Sequence, residues 1–169
     1  MQIEFVHFPL HIEIPPEGNR VVTGDDAAAK ARAKRMSDLA AAEKLPWKTR
    51  TMSYNSRLAQ ELGAWAATQG RGLQFHGAVF RAYFAERKNI SDAGVLADIA
   101  AGVGLNRDEA KRVLAERSFR SQVDTDWARS FAADVDMVPN FAAGDKKLAG
   151  MQSYSDLEAL VVAAGASKR

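Results

Sequence analysis

The chain has no cysteine among its 169 residues. A thiolate is the nucleophile of thiol–disulfide exchange and a common ligand of structural zinc. The sequence therefore excludes disulfide bonds, thiolate catalysis and zinc–thiolate sites formed by this chain. The absence fits a reducing or an oxidising compartment equally well, so it does not indicate where the protein resides.

Long hydrophobic runs are also missing. No stretch of about 18 consecutive apolar residues occurs, which is the length that a membrane-spanning helix needs. Residues 1–18 do not combine a basic region with a long apolar run, so they do not look like a secretory signal peptide. We therefore expect a cytoplasmic protein with no membrane partner.

An excess of charge of one sign is absent as well. Lys and Arg number 23 and Asp and Glu 21, which leaves a net charge of +2. The basic run over residues 30–35 has Asp25, Asp26 and Asp38 beside it, a pattern typical of a solvated helix face. Binding of nucleic acid needs a clustered basic surface, so we expect no nucleic-acid partner.

The first residues show a period of two. Val6, Phe8, Leu10 and Ile12 alternate on one face of residues 2–14, while Ile3 and Phe5 fall on the other face. This pattern predicts a strand over residues 2–14, in a sheet that is covered on both sides. The pair Pro15-Pro16 ends the predicted strand, because proline cannot donate to a strand ladder.

Residues 25–134 are predicted to form about six helices. Asp25, Asn55, Ser91 and Asn106 stand where helix caps are preferred. Breaks fall at Pro46, at Gly70-Arg71-Gly72 and at Gly104, and none of them forms a glycine-rich phosphate loop. The last of these helices is predicted to have an apolar stripe at four-residue steps, made of Phe119, Val123, Trp127 and Phe131.

The period changes again after Val135. Residues 137–142 and 146–149 read as two strands joined by a turn at residues 143–145. Ser155 with Glu158 resembles a capping box that opens a last helix. A strand, six helices, a hairpin and a helix favour an α/β fold with a helical insertion over a plain helix bundle.

Several motifs in this order resemble a known family. Residues 55–59 (NSRLA), 75–84 (FHGAVFRAYF) and 89–92 (NISD) resemble the helical insertion of FrnE-type DsbA-like oxidoreductases. Residues 138–141 (VPNF) and 148–152 (LAGMQ) are similar to the family's cis-proline loop and following hairpin. Residues 7–10 (HFPL) and 16–18 (PEG) look like the strand after its active-site helix.

The resemblance covers almost the whole chain and implies a fold. We expect an α/β protein with a truncated thioredoxin-like fold and a large α-helical insertion. Residues 1–24 and 135–169 would form the thioredoxin-like part, and residues 25–134 the helical insertion domain.

The family's redox motif, C-x-x-C, lies on a helix that follows the first strand of the fold. Both elements, roughly 30–40 residues on ordinary element lengths, have no counterpart in this sequence. The related 2-hydroxychromene-2-carboxylate isomerases use a serine of the same helix with glutathione. Gln60, Met137 and Asn140 also replace the histidine, glycine and threonine that are common in the family. No catalytic residue is assigned to this chain.

Val138 and Pro139 are the candidate substrate-binding residues. In the family the proline is cis, and the backbone of its neighbour pairs with an extended peptide or a thiol substrate. The resemblance implies the same here, with a peptide or a low-molecular-weight thiol as the possible ligand. The alternative is that Pro139 has only a structural role.

Other polar and aromatic residues are better explained by structure than by chemistry. His7 and His11 share one side of the predicted strand, but no third ligand is evident, so no metal and no cofactor are predicted. Ser53 and Ser56 lie at a helix start, where capping explains them. Asn55 is predicted to be a helix cap that tethers the insertion, and His76 to be a packing residue. Trp65 and Trp127 are predicted to be core residues.

Three hypotheses about function stay open. The chain is a DsbA-family thiol-disulfide oxidoreductase homologue without dithiol activity of its own, or a catalytically inactive peptide-binding, thiol-binding or dimerising module. A glutathione-dependent isomerase-like enzyme is the third alternative. A homodimer is possible, since residues 2–14 and 137–142 would each expose unpaired backbone groups unless another strand lay between them.

Overall fold

The computed structural model describes residues 3–21 and 27–167. Within these ranges the chain forms seven α-helices and two antiparallel sheets of two strands each. The elements are β1 (Asn19–Arg20), α1 (Ala27–Ala42), β2 (Met52–Ser53), α2 (Arg57–Thr68), α3 (Gly72–Phe84), α4 (Ala93–Gly102), α5 (Arg107–Glu116), α6 (Arg120–Ala132), β3 (Asn140–Ala143), β4 (Lys146–Ala149) and α7 (Tyr154–Ala163).

The chain divides into two compact units. The terminal unit combines Met1–Phe8 with Asp124–Arg169, and the helical unit is Pro9–Val123. The first and last segments of the sequence thus belong to the same unit, while most of the helices belong to the other.

The strand predicted over residues 2–14 is not formed, and residue 2 lies outside the described residues. Residues 3–9 belong to no helix or strand, and residues 10–13 form a turn. His11 has a φ of 55°, which a β-strand does not allow. Ile14 N donates to His11 O at 3.2 Å and closes this turn. Alternation of apolar residues suits a strand, but a strand also requires a partner with which its backbone can pair.

Helix α1 carries the basic run on exposed positions. Lys30, Arg32, Lys34 and Arg35 are all exposed, and Lys34 pairs with Asp38 at 2.5 Å one turn away. The prediction of a solvated helix face is confirmed for this segment. Asp25, predicted to cap this helix, lies outside the described residues.

The core of the helical unit lies among helices α2, α3, α4 and α5. Its largest fully buried apolar side chains are Phe75, Leu62 and Leu96. Trp65 is also buried in this cluster, as the sequence predicts. Each helix contributes one apolar face, so that their packing removes a continuous apolar surface from water.

Asn55 holds the start of this unit together. Its Nδ2 donates to the carbonyl oxygens of Ile14 at 2.9 Å and Ile12 at 3.3 Å, and its Oδ1 accepts from Arg57 N at 2.8 Å. Its own carbonyl oxygen accepts a hydrogen bond from Ser91 Oγ at 2.8 Å. The predicted tethering role of Asn55 is confirmed. The N-cap of α2 is Ser56, one residue later than predicted, and its side chain makes no capping hydrogen bond.

Gly18 lets the chain enter the small sheet β1–β2. Its φ is 83°, and a Cβ atom there would lie 2.5 Å from Cδ1 of Tyr54 and 2.7 Å from Ser53 O. Only glycine fits this conformation at this distance. The antiparallel register of the sheet pairs Asn19 with Ser53 and Arg20 with Met52.

Two further predicted helix caps are wrong by one or two residues. Asp92, not Ser91, caps α4, since its side chain accepts from Val95 N at 2.9 Å. Ser153 with Asp156 forms the capping box of α7, in place of Ser155 with Glu158. In both cases several capping residues stand close together, and the backbone conformation decides which one caps. Asn106 caps α5 as predicted.

A buried carboxylate connects three helices. Glu61 of α2 is only 1% exposed. Its Oε1 accepts from Arg57 Nε at 2.6 Å and from a terminal nitrogen of Arg117 at 2.7 Å, and its Oε2 accepts from Arg117 Nε at 2.6 Å. Arg57 also donates to Arg120 O at 2.8 Å. Burial alone would raise the pKa of Glu61, but the hydrogen bonds from Arg117 and Arg57 outweigh it and lower the pKa.

The terminal unit has little apolar interior. Leu160 of α7 is the one buried apolar residue among the described residues of this unit, and α7 packs against β3 and β4. On α6 the buried side chains of this unit are Asp126 and Ser130. The predicted stripe is wrong at Phe131, which is exposed, and Trp127, predicted as a core residue, is only half-buried. The reason is that steps of four residues drift by about 40° each around a helix.

Replacing Arg117 with methionine is expected to lower the free energy of unfolding by about 1.5–3 kcal/mol, because a buried carboxylate loses a bidentate partner. The same replacement at Arg112, an exposed residue whose contact with Glu109 is 3.9 Å long, should cost less than about 1 kcal/mol. Urea unfolding at pH 7, followed by circular dichroism, measures both. Equal losses in the two variants would contradict the role of Arg117.

The stabilisation by Glu61 is expected to depend on pH. Its pKa in the folded chain is lower than its ordinary value of 4.5, so its contribution is complete above that value and disappears as the pH falls through the folded pKa. The loss of stability in Glu61→Gln should therefore be largest near neutral pH and shrink in acid. Unfolding curves from pH 7 to pH 3 test this, with the exposed Glu116→Gln as the control. A loss that does not change with pH would be the contrary result.

Candidate functional site

The two predicted substrate-binding residues lie at the entry to the β3–β4 hairpin. The Val138–Pro139 peptide bond is cis. Pro139 O accepts a hydrogen bond from Gly150 N at 2.8 Å, and the register continues with Asn140 opposite Ala149 and Phe141 opposite Leu148. The loop is therefore fixed at two points. It continues directly into β3, and Gly150, which follows β4, donates a hydrogen bond to it.

Apolar side chains are exposed around the loop. Met137 and Val138 precede the proline, Met151 follows Gly150, and Tyr154 is the first residue of α7; all four are exposed. Methionine is flexible and polarizable, and it adapts to apolar ligands of different shape. Exposed apolar groups on both sides of a hairpin end are typical of a binding surface.

Strand β3 has an open edge. In the part of the chain that the structure describes, β4 is its partner on one side and no strand pairs with the other side. Backbone N–H and C=O groups on such an edge can pair with an extended chain. The open edge can therefore form hydrogen bonds with the backbone of an extended peptide. The exposed apolar residues around the loop can contact every second side chain of that peptide.

Residues 3–8 are anchored to α6 by a polar cluster. His7 Nδ1 lies 2.6 Å from Asp126 Oδ2, and His7 N donates to the same oxygen at 3.4 Å. Ser130 Oγ donates to His7 O and to Asp126 O, both at 3.0 Å. Ser130 thus bonds to carbonyl oxygens and not to the imidazole ring, so the cluster fixes the segment in place and does not activate the serine as a nucleophile.

A second anchor lies one turn further along the helix. Arg129 donates to the two carboxylate oxygens of Glu4 at 2.5 and 3.2 Å. The hydrogen bond and the charge of Arg129 lower the pKa of Glu4, and the same pair raises the pKa of Arg129. Both side chains are exposed, so this pair orients the segment more than it stabilises the chain.

The other residues considered from the sequence have structural surroundings. Ser56 Oγ accepts from Gln60 Nε2 at 3.1 Å, and Ser53 Oγ lies 3.4 Å from the hydroxyl of Tyr83. His11 lies 3.3 Å from Glu13, and His76 stacks obliquely on Phe80. Among the described residues no three His, Asp or Glu side chains are placed to hold a metal ion.

Sequence reasoning missed the partners of the first segment. No sequence motif pointed to Asp126, Ser130, Glu4 or Arg129. The two residues of each contact are separated by 119 to 125 residues in the chain. The one available signal was the spacing of Asp126 and Ser130, which places both on one face of α6. No helix in the described ranges combines the length and the apolar character needed to cross a membrane.

The chain is similar to proteins that are already known. A family model described as DSBA-like thioredoxin domain matches residues 1–162. The uncharacterized protein YwbO of Bacillus subtilis (strain 168) is 31% identical over 94 residues, which are 55% of this chain and 47% of that protein. The chain therefore spans about half the length of this curated relative.

Two solved structures are similar to the chain. The crystal structure of a probable DsbA oxidoreductase, SCO1869 from Streptomyces coelicolor, has a TM-score of 0.75 at 27% identity, over 84% of this chain and 63% of that one. A “putative protein disulfide isomerase” from Nitrosomonas europaea has a TM-score of 0.65 at 10% identity, over 82% of this chain and 74% of that one, and supports the fold alone. The predicted α/β, thioredoxin-like fold rich in helices is confirmed.

Asp126→Ala is expected to loosen the first segment. Without the carboxylate, the amide hydrogens of residues 5–8 should exchange with solvent roughly tenfold faster, because one charged hydrogen bond contributes about that much protection. Hydrogen exchange followed by mass spectrometry measures this, with the exposed Asp136→Ala as the control. Unchanged exchange in residues 5–8, or a rise of the same size throughout α2–α5, would count against a local anchor.

Proposed function

Because the chain belongs to the family of DSBA-like thioredoxin domains, we propose that it is a DsbA-type oxidoreductase homologue that binds an extended peptide and lacks dithiol activity. Val138 and Pro139 form the binding loop, and a low-molecular-weight thiol is the alternative ligand. Membership of the FrnE-type branch, the domain bounds inferred from the sequence and a cytoplasmic location are parts of the same proposal.

The observation that carries this proposal is the open edge of β3 directly after Val138 and Pro139. An extended peptide added to this edge would form antiparallel or parallel ladder hydrogen bonds with Asn140–Ala143. Its alternate side chains would reach the exposed apolar groups of Met137, Val138 and Met151. A small thiol such as glutathione would use only part of this surface, which favours the peptide.

The proposed lack of dithiol activity follows from composition. Exchange with a disulfide begins with attack by a thiolate, and reduction of a disulfide takes two electrons from two thiols. The chain has no cysteine to supply either. Any contribution of this chain to disulfide chemistry would therefore consist of holding a substrate that another thiol protein attacks.

Peptide binding can be tested by nuclear magnetic resonance. We expect a cysteine-free peptide of about ten alternating Val and Thr residues to shift the amide resonances of Val138 and of residues 140–143. Val138→Lys should weaken binding about tenfold, since it places a charge in the apolar surface. Val162→Lys is the matched control, because Val138 is 43% exposed and Val162, in the same unit, is 39% exposed.

Two results would overturn the peptide proposal. One is the absence of any shift in residues 138–143 at a peptide concentration of about 1 mM. The other is an equal loss of affinity in both lysine variants. A parallel titration with glutathione distinguishes the thiol ligand, and a glutathione titration without shifts would also remove the isomerase-like alternative.

The absence of dithiol activity has its own test. The purified chain is expected to reduce insulin disulfides with dithiothreitol no faster than a reaction without protein, because it has no thiol. Turbidity of the precipitating insulin chains is the measurement, with a thioredoxin as the positive control. Acceleration above the blank would show that the proposal is wrong on this point.

Dimerisation is a second candidate function, supported by a different observation. Ile3, Phe5 and Val6 are exposed in a unit with a single buried apolar residue among those described, Leu160. A second copy that covers this segment would bury those side chains. Light scattering from about 1 to 100 μM should then show a rising mass that Ile3→Lys abolishes and Leu45→Lys, at a similarly exposed residue, does not. A constant monomer mass would exclude this candidate.

A further inference from the structure

Helix α3 has a second apolar face that the core does not use. Phe75, Val79 and Ala82 point into the core of the helical unit. On the opposite side of the helix, Leu73 is 67% exposed and Phe80 is 59% exposed. These two residues are seven apart and therefore lie on one line along the helix.

Aromatic rings extend this line beyond the helix. The ring centroids of His76 and Phe80 are 6.3 Å apart, those of Phe80 and Phe84 are 6.3 Å apart, and Trp47 stacks on Phe84 at 5.1 Å with an interplanar angle of 15°. Lys48 N donates to Phe84 O at 2.9 Å and fixes the segment that carries Trp47. We name Trp47, Leu73, His76, Gly77, Phe80 and Phe84 the aromatic face of α3.

Gly77 lies in the middle of this face, although neither its backbone conformation nor its surroundings require a glycine. Its φ is not in the left-handed region, and a Cβ atom there would meet nothing within 4 Å. Glycine inside a helix is less stable than alanine, so the chain forgoes helix stability at this position. The missing side chain leaves a notch between Leu73 and Phe80 that would allow a second backbone to approach closely.

The rim of the face is positively charged. Lys48 and Arg81, with Pro46, Trp47, Ala85 and Glu86, line a cavity of about 390 Å³ at the end of the face. Arg50 lies over the rings of Tyr83 and Phe84, at 5.4 and 5.7 Å from their centroids. The acidic residue at the rim, Glu86, forms an ion pair with Lys88 at 2.7 Å. The hydrogen bond from Lys88 and the charges of Lys88, Arg81 and Lys48 lower the pKa of Glu86, and the rim keeps an excess of positive charge.

This charge decides between possible occupants. A second copy packed in parallel on the same face would place Lys48 and Arg81 near their own counterparts, and one packed antiparallel would place them near the exposed Arg71 at the start of α3. Like charges oppose both contacts. A nucleic acid would need more cations in line along its phosphates than this rim supplies. An acidic protein segment matches both the positive rim and the apolar centre.

The spacing of the face suggests the form of that segment. From Leu73 to Phe84 the helix rises about 16 Å, which is three turns. A partner helix with apolar residues at positions i, i+3 or i+4, i+7 and i+11 would match this length. We infer that the aromatic face of α3 is a docking site for an acidic amphipathic helix of a partner protein, with its carboxylates at Lys48 and Arg81.

This docking site is independent of the proposed peptide site. The aromatic face lies wholly within the helical unit, and Val138 and Pro139 belong to the terminal unit. Failure of one proposal therefore leaves the other in place.

The test uses a labelled synthetic helix as the probe. We expect a peptide of about 18 residues, with Leu and Phe on one face and Glu on its flanks, to bind the full chain in a fluorescence anisotropy titration. Phe80→Ser should weaken binding about tenfold, and Arg81→Glu should weaken it several-fold. Phe131→Ser, at a residue 60% exposed, and Arg112→Glu are the matched controls and should have no effect.

Gly77→Ala separates a docking role from a purely structural one. The replacement should raise Tm by roughly 2–4 °C, since alanine favours a helix, and should weaken peptide binding by filling the notch. A structural role alone would change Tm without changing affinity, and that result would contradict the inference.

Four further results would overturn the proposal. They are no saturable binding up to about 1 mM peptide; equal binding of a scrambled peptide of the same composition; binding of anionic lipid vesicles or single-stranded RNA with the same dependence on Phe80 and Arg81; and a chain that self-associates through Phe80 in the absence of peptide.

Discussion

The helical unit depends on the compensation of one buried charge. Glu61 lies beside Leu62 and Trp65 on the face of α2 that enters the core. A carboxylate in that position is compatible with folding only if its charge and its oxygen atoms are fully paired. Arg57 from the same helix and Arg117 from the end of α5 provide this pairing, and Arg57 also reaches the first residue of α6. The charge of Glu61 is therefore compensated only when α2, the end of α5 and the start of α6 are all in place.

The two units are stabilised in different ways. In the helical unit four helices share an apolar core, and Asn55 ties the preceding segment to it through backbone carbonyls. In the terminal unit, polar contacts with Asp126, Ser130 and Arg129 anchor the first segment. Polar anchors position a segment without removing much apolar surface from water. The terminal unit leaves Met137, Val138, Met151 and Tyr154 exposed beside the β3–β4 hairpin, where binding is proposed.

Local patterns predicted the elements that are stabilised by local interactions. Asn106 caps α5, Trp65 is buried and residues 146–149 form a strand, as the sequence indicates. The predicted strand over residues 2–14 failed because alternation describes side chains, whereas a strand is completed by the backbone of another segment. The stripe ending at Phe131 failed for a geometric reason: steps of four residues turn away from a buried face after two or three turns.

The sequence by itself determined what chemistry this chain cannot supply, because the absence of cysteine is independent of conformation. It also determined the succession of helices, since these depend on neighbouring residues. The Val138–Pro139 loop was predicted by the family resemblance alone, because the local pattern favoured a strand over residues 137–142, whereas β3 begins at Asn140. Only the tertiary structure decided that His7 bonds to Asp126, that Arg117 compensates Glu61 and that one apolar face of α3 is left exposed. These features join residues far apart in the chain or depend on which faces the packing covers, and neither is encoded in local periodicity.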